Sequence, residues 1–248
     1  MKLDNLTLLI PAKEDADCLF YVLNELKNFD VEKILVVPDN AILPKNFKFE
    51  KLKVIHQSKS GFGNALIEGA QEVKTEFFCV FNADGSFNPS ELEGMLKLTK
   101  YFDYVFASRY LDNAKSDDDT FITIVGNYIF SKIGSIFFNL KISDILYTYV
   151  ICNTIKTREL NLKNEDFGFC VELPIKVKRK NFTYTDTASH ERNRHSGKKN
   201  PMHLLMVLKF YSRCLSFFLI KKYKNKYTKI FITIPNTKIS VLDNVTFE

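Results

Sequence analysis

The first half of the chain alternates short apolar runs with stretches of helical spacing, and that alternation restricts the fold more than any other feature. Leu6 to Ile10 (LTLLI), Lys33 to Val37 (KILVV), Lys53 to His56, Phe77 to Phe81 (FFCVF) and Tyr104 to Ala107 (YVFA) read as strands. Between them Leu19, Val22, Leu23 and Leu26 recur at helical intervals. A second helix is opened by Ser60-Gly61-Phe62-Gly63-Asn64 and runs from Ala65 to Val73, and a third spans about Pro89 to Thr99. Apolar runs of this kind mark strands buried on both faces, and their alternation with helices is how a parallel sheet is wound. The expected class is therefore α/β, a mainly parallel sheet flanked by helices.

The second half is less regular. Asp117-Asp118-Asp119-Thr120 is expected to cap a helix from about Phe121 to Leu140, because acids and a hydroxyl at a helix start satisfy its free N–H groups and dipole. Ile145 to Ile151 reads as extended and Thr183 to Thr187 as an edge strand. Phe167 to Lys180 reads as a helix in which Pro174 should produce a kink or shift the start. Two segments are expected, residues 1–200 as the main domain and 201–248 as an extension with an amphipathic helix and a short β segment.

The strand ends carry the chemistry. Pro11 with Lys13 and Glu14, then Asp39, Asp84 and Arg109 each follow an apolar run, and in a parallel sheet such points share one edge, where ligands bind. Carboxylates beside cationic groups suit a nucleotide diphosphate with a hard divalent cation. Gly61-Phe62-Gly63 adds backbone N–H groups at a helix start, a place able to face phosphate. It is neither a G-x-G-x-x-G nor a Walker sequence, so dinucleotide and ATP sites lose support. The four histidines have no metal-ligand spacing. The five cysteines are scattered and form no C-x-x-C pair, which points to buried thiols in a reducing compartment. With no signal-peptide pattern at the start, a cytoplasmic location is expected.

The net charge of +6 is unevenly spread: Lys176 to Lys229 contains fifteen Lys and Arg against only Asp186 and Glu191. Such a block attracts phosphates. Nucleic acid is not the expected partner, because a basic block leaves Glu14, Asp39 and Asp84 on one edge unexplained.

The order of these pieces resembles the family 2 glycosyltransferases, in particular the branch of dolichyl- and polyprenyl-phosphate sugar synthases. LLIPAKED, VVPD, GFGNALIEGA, FNADGS, ASRY, KISDILYTYV, FGFCVEL and RNRHSGKKN carry the resemblance over roughly Leu6 to Asn200. It implies a type-A glycosyltransferase (GT-A, Rossmann-like) fold, a nucleotide-diphosphate sugar donor, Mg²⁺ or Mn²⁺, and inversion by in-line attack, in cell-envelope glycan synthesis. Carried onto this sequence, Pro11, Glu14 and Asp39 hold base and ribose, with Gly61 and Gly63 near the nucleotide. Asp84 binds the metal beside the diphosphate, with Asn82 as its weaker neighbour, and Arg109 binds donor phosphate. Arg194, with Lys198 and Lys199, closes over donor or acceptor phosphates. Asp144 and Glu172 are the candidate bases where the acceptor is a saccharide hydroxyl; a lipid-phosphate acceptor is already ionised and needs none.

Three residues depart from the family pattern. Asn82 replaces the first acid of the D-x-D element, Lys13 an asparagine, and Cys170 the first acid of the element that ends in Glu172. Alternatives therefore stay open: a sugar-phosphate nucleotidyltransferase, or a non-catalytic phosphate- or nucleic-acid-binding relative. From Leu204, the positions Leu204, Leu208, Tyr211, Leu215 and Phe218 share a helical face opposite Lys209 and Arg213, ahead of the basic run Lys221 to Lys226. This segment is too interrupted to span a bilayer. It suits an anionic membrane surface on the inner face of the cytoplasmic membrane, packing on the catalytic domain, or a homodimer contact.

Overall fold

The computed structural model describes residues 2–12, 16–45 and 47–195. Glu14, Lys198, Lys199 and the expected segment 201–248 lie outside the described residues. Seven strands, β1 (Lys2–Pro11), β2 (Asp30–Val37), β3 (Leu52–His56), β4 (Phe77–Val80), β5 (Tyr104–Ser108), β6 (Val150–Asn153) and β7 (Tyr184–Ala188), form one sheet in the order β3-β2-β1-β4-β6-β5-β7. The helices are α1 (Ala16–Glu25), α2 (Phe62–Glu72), α3 (Leu92–Leu98), α4 (Phe121–Phe138), α5 (Thr154–Glu159) and α6 (Phe169–Arg179). All neighbouring pairs are parallel except those of β6, which runs antiparallel to both β4 and β5.

The apolar runs alternate between two cores because successive side chains on a strand face opposite ways. Leu6, Leu8 and Ile10 of β1 join Leu35, Cys79, Phe81 and Val105 on one side, where Leu19, Val22 and Leu23 of α1 cover them. Leu9 joins Ile34, Val36, Phe78, Val80 and Phe106 on the other, covered by Ala65, Leu66 and Ala70 of α2 and by Phe169, Leu173 and Val177 of α6. Each such side chain contributes about 1.5–3 kcal/mol when fully buried.

The direction of β6 decides where the site forms. Because β6 is antiparallel, the chain leading into it lies at the carboxyl edge of β4 and β5, so residues 144–148 arrive beside Asn82 and Arg109. Parallel β7 brings Ser189 to Glu191 to the same edge, since Ala188 pairs with Ser108.

Two local expectations need correction. The extended stretch Ile145 to Ile151 is a loop until Val150, and α5 follows directly because Asn153 Oδ1 accepts from the Lys156 amide (3.1 Å) and caps a helix that the apolar pattern did not reveal. Pro174 lies inside α6, which runs on to Arg179 from a start at Phe169.

Candidate active site

Pro11 ends β1 between its neighbours β2 and β4 and is half-buried. Asp39 follows β2 and is exposed, and the carbonyls of Pro38 and Asp39 both lie 3.2 Å from His56 Nδ1 at the end of β3. Asn82 and Asp84 follow β4. Thr148, on the approach to β6, donates to Asn82 Oδ1 at 3.4 Å. Pro11, Asp39, Asn82 and Asp84 thus follow three adjacent strand ends, as the parallel arrangement requires.

Asp84 is held for work at one oxygen. Its Oδ1 accepts from the Ser86 amide (3.0 Å) and hydroxyl (2.7 Å), which fixes the carboxylate at the mouth of the loop. Its Oδ2 lies 3.7 Å from Arg194 Nε, too far for a hydrogen bond, and the side chain is partly open to solvent. Arg194 itself donates from Nε to Asp118 Oδ2 at 3.0 Å. The neighbouring His195 donates its amide to the Asp84 carbonyl (2.9 Å) and stacks on Tyr21 of α1, ring centroids 4.0 Å apart. Arg194 and His195, from the stretch resembling the family's phosphate-closing element, therefore lie beside the strand-end acid.

A divalent cation fits this corner in one form only. Among the described residues no three His, Cys, Asp or Glu side chains converge as a ligand cage. The donor set is one carboxylate oxygen of Asp84 facing a cationic side chain, with the Asn82 amide nearby, which suits a hard ion that keeps waters and takes further ligands from a substrate diphosphate.

Arg109 has a different surrounding from the one its resemblance implied. It is 7% exposed, and three carboxylates enclose it. Nε and Nη2 donate to Asp144 (2.7 and 3.0 Å), while Nη1 lies 3.0 Å from Glu191 and 3.1 Å from Asp119. The Arg109 amide also donates to Asp144 (3.2 Å), and the guanidinium lies over the Tyr147 ring at 4.7 Å. Burial works against the charge of Arg109, but Asp144 and Glu191 outweigh it and push its pKa up well above the usual arginine value. These N–H groups are engaged by protein carboxylates, which places Arg109, the expected phosphate ligand, in a buried ion-pair cluster.

The two candidate bases are similarly engaged. Asp144 is fully buried against Arg109. Glu172 of α6 accepts from the Lys163 and Asn164 amides (3.0 and 2.8 Å) and pairs with Lys176 at 2.7 Å, which anchors the loop before α6.

That loop explains the glycines. A Cβ at Gly61, whose φ is +144°, would stand 2.1 Å from the Glu165 carbonyl oxygen, and one at Gly63 would stand 2.0 Å from that of Asn164. The Asn64 amide donates to Glu165 at 3.0 Å. Loop carbonyls meet the start of α2, so close packing at Gly61 and Gly63, where phosphate contact is expected, leaves no room for a side chain.

The acids that matter most here escaped the sequence pattern. Asp117, Asp118 and Asp119 looked like helix-capping residues, yet only Thr120 caps α4, through the Thr123 amide at 3.3 Å. Asp117 pairs with His190 (2.9 Å), Asp118 with Arg194 and Asp119 with Arg109. Glu191, one of the two acids in the basic block, pairs with Arg109.

Comparisons with known proteins place this arrangement. Compared with curated proteins, the sequence matches none. Among solved structures, mannosyl-3-phosphoglycerate synthase from Rubrobacter xylanophilus superposes with a TM-score of 0.58 at 14% identity, covering 88% of this chain and 75% of that one. Glucosyl-3-phosphoglycerate synthase from Mycobacterium tuberculosis, solved with Mg²⁺ and UDP, gives 0.61 at 10% identity over 84% and 79%. The same enzyme with Mn²⁺, UDP and phosphoglyceric acid gives 0.60 at 10% identity over 84% and 78%. At these identities the likeness shows the GT-A fold. The activity class comes from the sequence itself: residues 7–159, more than half the chain and the part that builds β1 to β6, match the model of glycosyl transferase family 2, so the chain is a glycosyltransferase belonging to that family.

Proposed function

We propose that this glycosyltransferase moves a sugar from a nucleotide-diphosphate sugar to a lipid-phosphate acceptor, with inversion, in cell-envelope glycan synthesis at the inner face of the cytoplasmic membrane. The observation that carries the choice of acceptor is the state of the two candidate bases. The Asp144 and Glu172 oxygens are taken by fixed donors, so neither is poised to deprotonate a saccharide hydroxyl. An acceptor phosphate is already ionised and needs no such base.

In this reading Pro11 and Asp39, with Glu14, hold the base and ribose. Asp84 and Asn82 would hold Mg²⁺ or Mn²⁺, which supplies charge neutralisation at the leaving diphosphate. Arg194 leaves Asp118 to pair with phosphate, to which Lys198 and Lys199 add positive charge, because charge-assisted arginine–phosphate contacts are strong and often bidentate. The acceptor oxygen attacks the anomeric carbon from the face opposite the diphosphate. The new C–O bond forms as the old one breaks, and the electron pair leaves on the nucleotide's terminal phosphate oxygen. Most of the catalysis is then positioning and electrostatic stabilisation.

A second reading has a small phosphorylated acid as acceptor. It is supported by the mycobacterial structural neighbour, which was solved with phosphoglyceric acid. Supplying polyprenyl phosphate or 3-phosphoglycerate with each nucleotide sugar and identifying the labelled product separates the two.

Two substitutions test the site. Arg194→Ala is expected to raise the KM for the donor or acceptor at least tenfold with little change in melting temperature, since a partly exposed arginine contributes little to the core. Initial rates over a substrate series check it; unchanged constants put the phosphate site elsewhere. Asn82→Asp should keep activity and tighten metal dependence, because it adds an acid beside the same cation position. Activity against Mn²⁺ concentration reads this, and loss of turnover would show that Thr148–Asn82 pairing is needed as it stands.

A further inference from the structure

Six of the ten large exposed hydrophobic side chains among the described residues lie on one helix, α4: Ile124, Val125, Tyr128, Ile129, Ile136 and Phe137. Their spacing places them along one side of the helix, and three of them, Tyr128, Ile129 and Ile136, are 58%, 51% and 74% exposed. The opposite side is fixed to the body: Asn127 Nδ2 donates to the Tyr110 hydroxyl (2.8 Å), Ser131 Oγ accepts from the Ile145 amide (3.1 Å), and Phe130 is buried. The exposed side is therefore presented by a helix that cannot roll it inward.

We propose that this face of α4 lies on an anionic lipid bilayer. Charge points to that occupant. Within Phe121–Phe138 there is no Asp or Glu, and the sole charged residue is Lys132, whose Nζ sits 5.3 Å from the Tyr128 ring centroid; Lys141 follows the helix and is exposed. The exposed acids nearest in sequence, Asp112 and Asp117, precede the helix, and Asp117 is paired with His190. An apolar stripe with an aromatic residue and basic groups, but no acid, suits the headgroup boundary. Among the described residues no helix is long and apolar enough to cross a membrane, so α4 would rest on the surface. A second copy of the chain fits less well, since a stable interface uses about 20–30 residues a side.

The segment leading into α4 lies at the site. Asp118, two residues before the capping Thr120, holds Arg194, which is 3.7 Å from Asp84. A bilayer against α4 would bring a lipid-borne phosphate to the edge where the donor's diphosphate is proposed to bind. The inference deepens the lipid-phosphate reading, but its test needs no turnover.

The chain contains no tryptophan, so a single introduced one reports on its own position. Ile129→Trp is expected to shift its emission to the blue on adding phosphatidylglycerol vesicles and to be quenched by lipids brominated in their acyl chains. Tyr101→Trp, at an exposed position outside α4, should show neither change. Ile129→Ser combined with Ile136→Ser should weaken vesicle binding roughly tenfold or more while leaving nucleotide binding intact. An unshifted Ile129→Trp on vesicle-bound protein, or no vesicle binding by the unmodified chain at low salt, would overturn the proposal. So would Ser variants that alter oligomeric state and leave vesicle binding unchanged, which would give the face to a second copy. Failure of sugar transfer with every donor would instead count against the proposed function.

Discussion

Asp84→Ala is expected to remove sugar transfer, with kcat/KM falling by roughly 10²–10³-fold or more, the scale seen when one preorganised electrostatic group at a reacting centre is lost. The substitution takes away the one carboxylate at the β4 end that is both anchored, through Ser86, and open toward Arg194. Its structural cost is small, because the lost contacts are two local hydrogen bonds worth about 1 kcal/mol each. Initial-rate kinetics together with a thermal melt check both halves. Near-normal turnover at saturating metal would remove Asp84 from the active site, and a collapsed melt would make it a structural residue.

Arg109→Met is expected to have the largest effect on the fold. It leaves Asp144, Asp119 and Glu191, all buried, without the guanidinium that neutralises them. Removing one partner of a buried ion pair costs about 3–5 kcal/mol, which for a chain of this size lowers Tm by roughly 6–20 °C. A thermal melt decides it; a small difference would show that water or a rearranged side chain replaces the guanidinium.

The fold was legible because the central parts of β1, β2, β4 and β5 are buried on both faces, so their sequences contain continuous apolar runs that need no context to read, while β3 is a half-exposed edge strand. β6 was harder. Its four residues follow a loop whose Ile145, Tyr147 and Tyr149 are also buried, so the apolar pattern began five residues before the strand did. Asp84 was legible for the same reason as the strands, since an acid straight after a buried run must emerge at the sheet edge. The partners of Arg109 and Arg194 were not. Asp144 reaches Arg109 through the reversal of β6, Glu191 reaches Arg109 and Arg194 reaches Asp118 through the parallel return of β7, and Asp119 folds back on Arg109 from the loop after β5, so these pairings leave no regular local spacing. The family resemblance identified Arg109 as important, while its three carboxylate partners are visible only in three dimensions.

The most direct test of the account is transfer itself. The full-length protein is incubated with a panel of nucleotide-diphosphate sugars, polyprenyl phosphate and Mn²⁺, and both nucleotide release and labelled sugar in the lipid phase are followed. The account predicts release from one preferred donor, matched by sugar in the lipid fraction, abolished by chelation and absent in Asp84→Ala. Release from no donor, or equal release by Asp84→Ala, would contradict it.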